Sequence, residues 1–180
     1  MSKPKIELQD MEEIRSDRRE CVGDFAEWLN TGYPNFLGTV IVFQDRKALD
    51  CDAVETTKRS PLVGQREGLC GLFAIDSPTR IWIAAQYDLV QIIYAIAHEW
   101  RHGLQYIGLS PVSPLDDNSA IEGDAKRWAL ETIDEYIGQA PKRLLRVILN
   151  DPREPESGDG ENSAVIRRLV NDIEEGGLSL

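Results

Sequence analysis

The stretch DLVQIIYAIAHEWRHGLQY, residues 88–106, combines a helix-start signal, an apolar stripe and both histidines of the chain. Asp88 followed by Gln91 is a capping-box pair, and Leu89, Ile92, Ile93, Ile96, Trp100 and Leu104 recur at helical spacing on one face. Gly108 and Pro111 supply the stop. On the helix this predicts, His98 and His102 are four residues apart, and Glu99 follows the first. Four residues advance about 400° around a helix, so the two imidazoles lie about one turn apart and about 40° apart in azimuth and can converge on one ion. Glu99 sits about 60° beyond His102, placed to reach a water at that ion while leaving the ligand positions to imidazole. Free imidazoles on so apolar a helix are costly unless something uses them.

An open, catalytic zinc takes three protein ligands and keeps one position for water. With no third histidine in the chain, the third ligand has to come from another residue type. Glu122 is the leading candidate, because positions 122, 125, 129, 133 and 136 form one helical row. Ala125, Ala129, Ile133 and Tyr136 turn that row toward the core. The competing reading makes Ser119 and Glu122 a capping box with no chemical role for the carboxylate. Asp124 is the second candidate ligand, followed by the loop residues Asp116 and Asp117. Cys70 is the one thiol placed to close such a site with a fourth ligand, as a purely structural zinc centre requires.

Outward from this helix the pattern is mixed. Upstream, Asp10 and Glu13 read as a capping box. Met11, Ile14, Cys21, Val22, Phe25, Trp28 and Leu29 then form a helical face that should end at Asn30-Thr31-Gly32. LGTVIVF, residues 37–43, reads as a buried strand. Residues 70–75 and 80–84 read as a hairpin around Asp76-Ser77-Pro78-Thr79, with 80–84 available as an edge for an extended peptide. Residues 52–68 should form a long loop. Downstream, a helix runs from about Ser119 to Ile137, and a short one covers 144–149. NDPREPESGDGENS, residues 150–163, has linker composition, and the tail carries an amphipathic stripe of Val165, Ile166, Leu169, Val170 and Ile173. The expectation is an α+β domain over 1–149, then a linker and a C-terminal helix over 150–180 that docks on the domain or on a protein partner.

Composition narrows the function. The chain has 180 residues, 42% hydrophobic and 28% charged, which suits one globular domain. A formal charge of -11 repels phosphate backbones and anionic lipid, so neither nucleic acid nor membrane is an expected partner. The first twenty residues lack the apolar core of a secretory signal, and three cysteines without a CxxC pair suit a reducing cytoplasm. Tyr106 and Tyr136 read first as packing residues and are the candidates for stabilising an oxyanion.

HEWRH followed by EGDAKRWA resembles the gluzincin pattern, HExxH with a downstream Glu. The small size, the SPTRIWIAAQYD strand leading into AIAHEWRH, and the E-x-x-A-x-x-W-A form of EGDAKRWA are similar to the compact bacterial ImmA/IrrE-type metallopeptidases. The resemblance spans about residues 70–130. Lys126 stands where that family usually has Asn, and these 180 residues hold no recognisable DNA-binding or sensor module, so the family's repressor-cleaving role is not an expectation here. The resemblance implies a compact zincin-like fold, zinc held by His98, His102 and Glu122, and Glu99 as the catalytic base of a peptidase acting on a protein or peptide. The rival expectation is a non-catalytic, zinc-stabilised interaction module. A purely structural site has no use for Glu99.

Overall fold

The computed structural model describes residues 6–34, 39–45, 71–73, 78–140, 146–148, 150, 151 and 168. In chain order it contains β1 (Ile6–Gln9), a 3-10 turn (Met11–Glu13), α1 (Arg19–Gly32), β2 (Thr39–Gln44), β3 (Gly71–Phe73), β4 (Arg80–Ala84), α2 (Leu89–Tyr106) and α3 (Asn118–Gln139). The fold is mixed α+β, with one four-stranded sheet ordered β1-β2-β4-β3. β1, β2 and β4 run parallel, and β3 returns antiparallel to β4 as the hairpin pattern predicts. Ile41 pairs with Ile81 and Phe43 with Ile83, which in turn faces Gly71 across the hairpin. These apolar residues alternate along their strands and fill the core.

That core is built around α2, which packs on β3 and β4 and contacts both α1 and α3. Of its 18 residues only His102 and Tyr106 escape full burial. A helix buried nearly all round is an internal strut, and it holds whatever it carries at fixed positions.

The sheet and the first helix depart from expectation in three places. The continuous helix expected from Asp10 is split: Asp10 is left-handed at φ 58°, Ile14 is extended, and α1 starts only at Arg19. The Arg19 guanidinium donates to the carbonyls of Glu12 and Ile14, taking acceptors that a continuing helix needs for its own ladder. β1 is an unforeseen strand, too short at four residues to show a clear period. β4 is not an edge: it is paired on both sides, and among the described residues β1 and β3 are the outer strands, with β3 next to β4.

Asp151, inside the segment expected to be a linker, is tied into the domain. Its carboxylate accepts from the buried Arg18 Nε at 2.8 Å and from the Leu89 N–H at the head of α2 at 2.7 Å. Residues 146–148 are helical, with Ile148 in the core. The long loop over 52–68 and Cys70 lie outside the described residues, as does the tail helix apart from Arg168. No helix among the described residues is long and apolar enough to cross a membrane.

Candidate metal centre

Both ends of α2 are defined by the chemistry of their residues. Asp88 accepts from the Gln91 N–H at 2.9 Å, and the Leu89 N–H is taken by Asp151, so carboxylates sit on the positive end of the helix. At the other end Gly108 adopts φ +76°. Its N–H donates to the Gln105 carbonyl, and the Leu109 N–H donates to the Leu104 carbonyl. This is the Schellman pair of bonds, and a side chain at residue 108 would strain it. The chain then turns into α3, capped by Asp117, whose side chain accepts from the Ala120 N–H at 3.0 Å. The cap is therefore Asp117 rather than Ser119. Glu122 falls outside the capping turn and is left facing α2.

The result is a three-residue donor set. One ligand atom each from His98, His102 and Glu122 lies within 4.8 Å of the others. The two Nε2 atoms are 3.1 Å apart, His98 Nε2 is 3.4 Å from Glu122 Oε2, and His102 Nε2 is 3.8 Å from Glu122 Oε1. Donors about 2.0–2.1 Å from a tetrahedral zinc are separated from one another by about 3.3–3.4 Å. The observed spacings bracket that value, and two imidazoles with one carboxylate form the donor chemistry of an open zinc site, so the residues fit the ion. The three side chains are between 11% and 20% exposed, so the donor set is partly open to solvent.

Glu99 lies beside the set in a different environment. It is buried against β3, where its carboxylate accepts from the Phe73 N–H. Burial pushes its carboxyl above the ordinary range. His98 and His102 pull the other way, Glu122 adds to the rise, and the Phe73 N–H opposes it. Gly71 makes this position possible. A Cβ there would lie 2.7 Å from Glu99 Cγ and 3.0 Å from its Oε1.

Asp124, the second candidate ligand, is committed elsewhere. Arg101 grips it through Nε at 2.7 Å and Nη2 at 3.1 Å, and Gln105 and Ser110 also donate to its Oδ2. Burial alone would raise this carboxyl, but these donors, Arg101 foremost, hold it down at about 2. The Arg101 guanidinium also lies 5.3 Å from the Trp128 ring centroid, joining α2 to α3 a second time. Asp117 is spent on the α3 cap and Asp116 on the Ser113 N–H, so the loop carboxylates serve the turn.

Of the tyrosines, Tyr136 is a core residue. Its hydroxyl donates to Asp24, and its ring meets Phe25 edge-on, which removes it as an oxyanion donor. Tyr106 is 38% exposed and its ring lies 6.1 Å from that of Phe73, tilted by 55°, while the Phe73 ring in turn neighbours His102, so Tyr106 borders the site.

Gln105, Gly71 and Phe73 are site residues that no sequence motif marks. Gln105 alone carries a legible signal, three residues beyond His102 and therefore on the same helical face.

Compared with known proteins, the chain matches no family model, no curated protein and no solved structure. The chemistry of the site is therefore read from its own residues.

Proposed function

We propose that this protein is a zinc-dependent metallopeptidase of compact zincin-like build, resembling the ImmA/IrrE-type enzymes, that hydrolyses a protein or peptide substrate in the cytoplasm. The observation that carries the reading is the meeting of His98, His102 and Glu122 at ligand distances with Glu99 buried alongside. His98 and His102 present Nε2 and Glu122 presents its carboxylate to the ion. Zinc, when bound, supplies Lewis acidity to a scissile carbonyl and to an attacking water. Glu99 takes the proton from that water on its carboxylate and returns it to the leaving nitrogen. The outer strand β3 lies on this side of the sheet and can accept an extended backbone as an added strand.

The test joins metal analysis to cleavage. Protein prepared without chelator should hold about one zinc per chain, and His98→Ala should hold none. Glu99→Gln should keep zinc and fold yet lose hydrolysis of a peptide library by roughly 100-fold or more. Cleavage at equal rates by wild type and Glu99→Gln would remove Glu99 from the mechanism. Zinc with no cleavage by either across a broad library would identify a zinc-stabilised interaction module instead.

A further inference from the structure

We infer that Gln105 is a positioning residue that locks the His102 imidazole in its Nδ1–H tautomer and so presents an Nε2 lone pair to the point where His98 and Glu122 converge. The amide's own partners fix which way round it sits. Gln105 Nε2 lies 3.0 Å from the Ile121 carbonyl oxygen and 2.9 Å from Asp124 Oδ2. Both oxygens only accept, and Asp124 stays ionised under the grip of Arg101. The NH2 group must therefore occupy that side, because a flipped amide would set its oxygen against two acceptors. Oε1 is then fixed 2.8 Å from His102 Nδ1. An amide oxygen cannot donate, so the ring proton belongs on Nδ1 and Nε2 is left with its lone pair.

The alternative tautomer is harmful here. His102 Nε2 is 3.1 Å from His98 Nε2, and a proton on it would bond the two ligands to each other instead of leaving both for an ion. Gln105 takes His102 out of that competition. Other residue types would not serve, since a Glu would set a second carboxylate against Asp124 and an Asn lacks the reach. Asp124, with Arg101 and Ser110, thus serves the site indirectly, by aiming the amide that aims the ligand. The effect on affinity rests on the metal-site reading. The tautomer does not, because it is a property of the metal-free protein.

The experiment separates the two. Uniformly 15N-labelled, zinc-free wild type at about pH 8 is examined by long-range proton–nitrogen correlation, in which only two imidazole rings contribute. His102 should show a protonated Nδ1 and a bare Nε2. Gln105→Met keeps the length and loses the acceptor. It should shift His102 toward the Nε2–H form and weaken zinc in chelator competition by about tenfold to a hundredfold, with the far-ultraviolet circular dichroism unchanged. An Nε2–H His102 in wild type overturns the inference, as does a folded Gln105→Met variant with unaltered tautomer and affinity. If that variant does not fold, the wild-type spectrum decides alone. Wild type with the Nδ1–H pattern but no zinc affinity defeats the zinc reading and leaves the lock standing.

Discussion

Gly71→Ala tests the contact between β3 and Glu99 without needing a substrate. The new Cβ would meet Glu99 Cγ at 2.7 Å, Glu99 Oε1 at 3.0 Å and Ile83 Cδ1 at 3.2 Å. Overpacking of this kind costs about 1–3 kcal/mol, and the stiffer unfolded chain returns about 0.4–1 kcal/mol, so a net loss of about 1–2 kcal/mol is expected. In a Glu99→Ala background the two closest atoms are gone. Only the Ile83 methyl remains, at a distance that a small shift relieves, and Gly71→Ala should then be close to neutral. The double-mutant cycle should therefore show a coupling of about 1–2 kcal/mol, well above the roughly 0.3–0.5 kcal/mol scatter of independent sites. Urea unfolding of the four zinc-free proteins measures it, with chelator present so that metal binding does not add to stability. Additivity within about 0.5 kcal/mol would show that Glu99 does not occupy the space beneath Gly71, and the base role proposed for it would lose its placement.

Two buried groups should leave their mark on pH profiles. Asp124 is held from its ordinary 3.8 down to about 2, so its contribution is fully present above pH 4 and is lost as pH falls through about 2. About 2 kcal/mol of stability should disappear over that range in wild type and not in Asp124→Asn, and matching acid profiles would show that the Arg101 grip is weak. Burial, assisted by Asp24, Glu20 and Asp151, pushes the Cys21 thiol up to about 12. Its contribution to stability is complete below about pH 9 and declines as pH rises toward 12. Iodoacetamide at about pH 9 should accordingly leave Cys21 unmodified in the native protein and label it fully in urea, and equal labelling rates by peptide mapping would contradict its burial.

How far the residues alone reach depends on the range over which each signal acts. α2 and its His98–Glu99–His102 motif are legible because cap, stripe and stop all lie within about twenty consecutive residues, and the geometry of one helix does the rest. Glu122 is legible as an inward-facing carboxylate, yet whether it is spent on the helix cap is not: the sequence pattern offers Ser119 with Glu122 as the capping box, and only the fold gives the cap to Asp117. The split at Asp10–Ile14 is hidden because Arg19 satisfies the Glu12 and Ile14 carbonyls with a side chain, which no hydrophobic period registers. Gly71 is hidden for a similar reason. Its role is set by Glu99, 28 positions away in the chain, and only the folded sheet brings them together. For Tyr136 the sequence leaves a packing role and an oxyanion role side by side, and only the fold decides for packing, with the hydroxyl spent on Asp24.

The junction of Asp151 with Arg18 and the first turn of α2 sets a limit on where this polypeptide can be shortened. A deletion that keeps residues 1–149, the span that composition marks as self-sufficient, discards the carboxylate paired with a guanidinium that is 1% exposed. Breaking such a buried pair from one side costs about 3–5 kcal/mol, a large share of the 5–15 kcal/mol by which whole domains are stable. The same cut strips the Leu89 amide of its acceptor, and that loss falls on the helix bearing the motif. A trimmed version ending beyond residue 151 keeps the clasp, whereas one ending just before it should express as a fraying domain. A defect in the shorter protein would then report the loss of the clasp and not a role of the tail.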